Sequence, residues 1–166
     1  MTEATALDIL TNPQLERCIL GQIVVHDAWQ LYASMGIDPD DFHEAEHKKI
    51  VKLSKKLHGA GTSPDAVLLR QAGASVMAIN DVQKDTVYVR EENAKFMLGQ
   101  LKDLSRARKI YYSTKQLETN LSQKQNTATE LVEAHLKEID RIVSESSEGS
   151  LVMDAERQHQ ALKALS

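Results

Sequence analysis

Glu91–Val143 constrains this chain more than any other stretch. It reads as two long helices with one short break. The first runs from about Glu91 to Leu121 with no Pro and a single Gly, Gly99. At about 1.5 Å per residue it is roughly 45 Å long, longer than a small domain is wide. The second opens at a capping box, Thr127-Ala128-Thr129-Glu130, whose hydroxyl and carboxylate satisfy each other's orphan amides. Between them lies the polar, turn-like Ser122–Asn126. The segment is therefore expected to be a helical hairpin. A hairpin this long cannot bury both faces against the rest of the chain. Its remaining apolar positions must meet something else, most simply a second copy of itself. Met97, Leu101, Leu104, Arg108, Tyr111 and Leu117 are the candidate oligomerisation residues. An intrachain seam with Leu131, Val132, Leu136, Ile139 and Val143 uses only one side, whereas Phe96, Met97, Leu98, Leu101 and Leu104 cover more than one face.

Length and composition frame the rest. The 166 residues allow one domain plus an extension. A chain 42% hydrophobic, 27% charged and 4% aromatic has a soluble, mostly helical profile. The net charge of −4 argues against this segment wrapping nucleic acid by itself. A single cysteine, Cys18, leaves no disulfide framework. No apolar run approaches the roughly 18 residues of a membrane span, and Met1-Thr2-Glu3-Ala4 is no signal peptide. The expected location is the cytoplasm.

In chain order, residues 1–11 form a leader. Asn12-Pro13 supplies an N-cap with Pro at the first helical position. Leu15, Cys18, Ile19, Gln22 and Ile23 share a face that is apolar apart from Gln22, predicting a helix to about Val25. Cys18 on that face suits a small buried thiol. Asp27 is expected to cap a short helix ended by a left-handed Gly36, with Ala28, Leu31, Tyr32 and Met35 facing inward. Trp29 and Tyr32 suit either the core or an exposed partner anchor. The turn Ile37–Phe42 feeds a third helix, about His43 to Leu57, with Ile50, Leu53, Ser54 and Leu57 inward and Lys48, Lys49, Lys52, Lys55 and Lys56 largely outward. Ser63-Pro64 is expected to cap a fourth helix to about Ala72. In 73–89, Val76–Ile79 reads as a helical turn or an extended piece. After Val143 the run Ser144–Ser150 has linker composition. Leu151–Leu165 resumes an amphipathic helix, whose Leu151, Ala155, Leu162 and Leu165 are expected to dock on a neighbour.

Signs of catalysis are lacking. There is no G-x-x-x-x-G-K-[ST], G-x-G-x-x-G, H-E-x-x-H, C-x-x-C or G-x-S-x-G. His43 and His47 stand at i, i+4, but a zinc site needs three or four ligands and no second element supplies them. The lysine face of the third helix is a candidate phosphate stripe without an interleaved aromatic, and such runs are more often solvated faces. Arg106, Arg108 and Lys109 are similarly more suited to solvation or ion pairing than to DNA. No catalytic, cofactor or metal residue is assigned.

The order of these pieces resembles the N-terminal domain of the DnaB-type replicative DNA helicases. Asn12-Pro13-Gln14 leading into Glu16-x-x-Ile19-Leu20-Gly21 is similar to that family's opening. Val24-Val25 with Asp27-Ala28-Trp29, then Pro39-Asp40-Asp41-Phe42, His47 and Ile50, follow in its order. The hairpin and the post-linker helix follow at its spacing. Gly73–Ala78 only echoes the family's Gly-Gly-x-x-Tyr-Leu stretch, and Val51 replaces a Phe, as in a divergent or phage-encoded member. The resemblance implies an all-α head (about 12–90), a protruding hairpin (about 91–143), and a linker with the start of a linker helix (144–166). It implies dimers paired through hairpins, up to a trimer of dimers forming a collar. It also implies surfaces for primase and a helicase loader, and DNA contacted only through the full ring. ATP and Mg would act in a motor domain absent from this chain. Three other readings compete: a stand-alone helicase-binding regulator or loader, the helicase-binding domain of a primase, and a small metalloenzyme built on His43 and His47.

Overall fold

Asn12 and Pro13 start the first long helix as expected: the Asn12 side chain accepts from the Leu15 amide at 3.0 Å, and α1 runs Pro13–Val25. The computed structural model describes residues 7–84, 87–123 and 126–145. Every regular element among them is helical. After α1 come α2 (Trp29–Ser34), a 3-10 turn (Pro39–Asp41), α3 (Ala45–Gly59), α4 (Ala66–Gln71) and α5 (Val76–Lys84). They are followed by α6 (Glu91–Gln123) and α7 over 128–145. The chain forms two compact units, one ending at Ser105 and the other beginning at Arg106.

In the first unit α1 is the central element, packed against α2, α3 and α5. Its period-3.6 stripe places Ile19, Leu20 and Ile23 in a core shared with Tyr32, Phe42, Ile50, Val51, Leu69, Ile79 and Val82. Each such side chain contributes about 1.5–3 kcal/mol on burial. Ala94, Leu98 and Leu101 complete the same core. The head therefore continues into the first turns of α6 instead of stopping at its start.

Three local expectations need correction. Asp27 is not a cap: Ala28 holds that place without a side-chain bond, and Asp27 takes a left-handed φ of 52°, which Asp tolerates better than most residues. Asp65, not Ser63, caps α4, accepting from the Leu68 amide at 2.8 Å. Cys18 is only half-buried. Elsewhere the left-handed Gly36 is as expected, at φ 83°. The ambiguous Val76–Ile79 belongs to a helix whose inner face is Ile79 and Val82; the Ser75 hydroxyl accepts from the Ala78 amide at its start.

In the second unit, the rest of α6 and α7 are bridged by Ser113 Oγ and His135 Nδ1, 3.0 Å apart. Ser113 lies before the break and His135 a similar distance beyond it, so the two helices run antiparallel. Thr127 caps α7, accepting from the Glu130 amide at 3.2 Å.

Candidate assembly surface

Polar clamps fix the head. The Glu16 side chain is fully buried on α1. Its carboxylate accepts from the amides of His43 (2.9 Å) and Glu44 (3.3 Å) and lies 2.8 Å from His47 Nδ1. An ionised carboxylate only accepts, so the ring nitrogen donates. Burial by itself would raise the Glu16 pKa; the His47 ring and the two amides outweigh it and hold the carboxyl below its ordinary value. The helix N-terminus of α3 is thus capped from outside, by a residue of α1. This splits the His43/His47 pair. The His47 ring is buried and committed to Glu16, while the His43 side chain is exposed.

A second clamp joins α1 to the segment before α6. The Gln22 amide group donates to the Val87 carbonyl, and its oxygen accepts from the Val89 amide at 3.1 Å. The lone polar member of the α1 stripe is thereby satisfied by the backbone of the segment before α6. A third clamp joins α6 to the 3-10 turn. Lys102 Nζ reaches Asp41 Oδ2 at 2.7 Å and the Gly36 carbonyl at 2.8 Å, and Ser105 Oγ donates to the Asp40 carbonyl at 3.1 Å. Burial pushes the Asp41 carboxyl above its ordinary value, with Lys102 acting against it. The third of these clamps ties the first turns of α6 to the head.

Within the second unit, α7 carries two adjacent stripes with the same 4-3-4 spacing. The inner one, Leu131, His135, Glu138 and Ile142, is buried or half-buried. The outer one, shifted by one residue, is Val132, Leu136, Ile139 and Val143. Val132, Leu136 and Val143 of this stripe are 45%, 57% and 45% exposed. The apolar arc of α7 is therefore wider than the part that is covered. On α6, Tyr112 and Leu121 are also exposed.

The candidate oligomerisation residues divide between these environments. Leu101 is fully buried in the head core, and Met97 and Leu104 are half-buried against it. The seam assignment for Leu101 is thus corrected: the first turns of α6 spend their apolar face inside the head. Arg108 is buried. Tyr111 and Leu117 are half-buried in the second unit. The Tyr111 ring has Tyr112 edge-on at 5.7 Å and the Lys115 ammonium 5.8 Å from its centroid. Leu151, Ala155, Leu162 and Leu165 lie outside the described residues. Lys102 escaped the sequence reading, and Glu16 entered it only within the family-like opening, because nothing local distinguishes either from a solvated charge. Gln22 was visible as a polar interruption of an apolar stripe.

The profile of the DnaB-like helicase N terminal domain matches residues 9–145. This chain belongs to that family. Among solved structures, the N-terminal domain of the DnaB helicase from Mycobacterium tuberculosis is similar, at TM-score 0.65 and 16% identity over 79% of this chain and 97% of that one. No curated protein matches. The DnaB-type domain is all-α and is not itself the catalytic part of a helicase. No helix among the described residues is long and apolar enough to cross a membrane, and no group of three or more His, Cys, Asp or Glu gathers there as a metal site requires.

Proposed function

We propose that this DnaB-type domain assembles its parent replicative helicase by pairing with a second copy of itself through the α6–α7 hairpin. The pairs would build a collar that offers surfaces to primase and a helicase loader, while ATP and Mg act in a separate motor domain. The observation that carries this reading is the outer stripe of α7. Four apolar positions in coiled-coil spacing stand beside an inner stripe that is already buried at Leu131 and Ile142 and half-buried between them. Such a 4-3-4 stripe is what a facing helix packs into. In a self-paired module the same stripe meets itself across a two-fold axis, so one substitution acts twice.

The test is the mass in solution of the 166-residue chain by sedimentation equilibrium. The wild type is expected to dimerise, and Leu136→Asp to give a monomer with an unchanged far-UV spectrum. A wild type that stays monomeric at high concentration, or a Leu136→Asp variant that still dimerises, would remove the hairpin from assembly.

A further inference from the structure

The outer face of α3 carries Lys48, Lys49, Lys52, Lys55 and Lys56. All but the half-buried Lys48 are exposed. Their spacing puts like charges at i, i+3 and i, i+4 four times over: 48/52, 49/52, 52/55 and 52/56. Each such pair weakens a helix. Elsewhere several exposed cations answer to acids on their own helix: Lys84 to Asp81, Lys95 to Glu91, Lys115 to Glu118, and Arg141 to both Glu138 and Glu145. None of the five α3 lysines takes part in an ion pair among the described residues. The only acid within α3 is Glu46. A chain of net charge −4 thus concentrates a quarter of its 20 basic side chains on one helix face.

We propose that this face docks the phosphodiester backbone of a nucleic acid, without regard to base sequence. Charge complementarity identifies the ligand as a polyanion. The absence of any exposed large apolar residue on α3 itself disfavours an acidic protein, because protein interfaces draw their affinity from buried aromatic and aliphatic anchors. Lysine supplies a point charge that phosphate accepts from any direction. With no exposed Phe, Tyr or Trp on α3, bases are not stacked and not read. From Lys48 to Lys56 the stripe rises about 12 Å, and its five lysines suffice for about three or four phosphate contacts. This inference is independent of the hairpin reading. It departs from the expectation that DNA is met only through a complete ring, because the structure gives these lysines no ion pair among the described residues.

The experiment is fluorescence anisotropy of a labelled oligothymidylate titrated with the full chain across a salt series. Three or four contacts on a single strand give a log–log slope of about −2 to −3, so affinity falls about 30-fold between roughly 50 and 200 mM salt. The triple variant Lys49→Gln, Lys52→Gln, Lys56→Gln keeps helix propensity. It should bind at least about tenfold more weakly, with the slope moved toward zero by about 2. The matching Lys→Arg triple should bind like the wild type. A labelled duplex that binds with a slope nearer −3 to −4 also supports the proposal and selects the double-stranded form. No binding of either oligonucleotide at low salt overturns it, as does a glutamine triple that binds like the wild type. Displacement by polyglutamate at equal charge overturns it in favour of an acidic polypeptide.

Discussion

Replacing Glu16 tests whether a single buried carboxylate holds α1 against the start of α3. It accepts from two backbone amides and from the His47 ring. Glutamine keeps the shape but offers one acceptor oxygen and presents an NH2 donor where the second oxygen stood. That donor faces an N–H, so one or two charge-assisted bonds are lost, each about 1.5–3 kcal/mol. The exposed residues His43 and Glu44 let water recover part of the loss. The net expectation for Glu16→Gln is about 2–3 kcal/mol. Glu16→Ala removes all three acceptor contacts and leaves a cavity, for about 4 kcal/mol. For a chain of this size 1 kcal/mol moves Tm by about 2–4 °C, so Glu16→Gln should melt about 6–10 °C lower. Urea unfolding at neutral pH followed by circular dichroism gives the free energies directly, with the slope unchanged if only stability differs. His47→Ala in both backgrounds closes a double-mutant cycle with an expected coupling of about 1–2 kcal/mol. If both Glu16 variants lie within about 0.5 kcal/mol of the wild type, the clamp does not hold the head and the argument from its geometry is wrong.

Two further outcomes follow from the same geometry. The Glu16 pKa is lowered on folding, so its stabilisation is complete above the ordinary carboxylate value of about 4.3 and is lost as pH falls below it. Asp41 is raised and contributes with the opposite sign. Unfolding free energies between about pH 3 and 5 should therefore flatten in Glu16→Gln and steepen in Asp41→Asn; a common slope in all three proteins would contradict the assignment. Leu101→Ala should destabilise the head by about 2–5 kcal/mol yet leave the association constant of the folded protein unchanged in sedimentation. A weakened association at full folding would return Leu101 to the intermolecular seam.

Much of the helix order was legible in sequence because its signals are local. The Asn12-Pro13 start, the left-handed Gly36 and the uninterrupted run from Glu91 each act within a turn or two of chain. Period-3.6 patterning identified the inward Ile19, Ile23 and Ile50 for the same reason. The two caps that were misplaced, at Asp27 and Ser63, sit where several polar residues compete within two or three positions, and backbone geometry chose among them. Val76–Ile79 was ambiguous because a short apolar run fits either period.

What the tertiary structure alone decided is which partners the polar and apolar side chains find. Glu16 and His47 are 31 positions apart, Gln22 and Val89 67, and Lys102 and Asp41 61; no local pattern pairs them. Sequence determined that α6 has more apolar surface than one neighbour can cover. Only the fold decided that Leu101 spends its share inside the head and that Val132, Leu136 and Val143 of the outer α7 stripe stay exposed. Periodicity fixes which residues share a face, but burial depends on what packs against that face from distant parts of the chain.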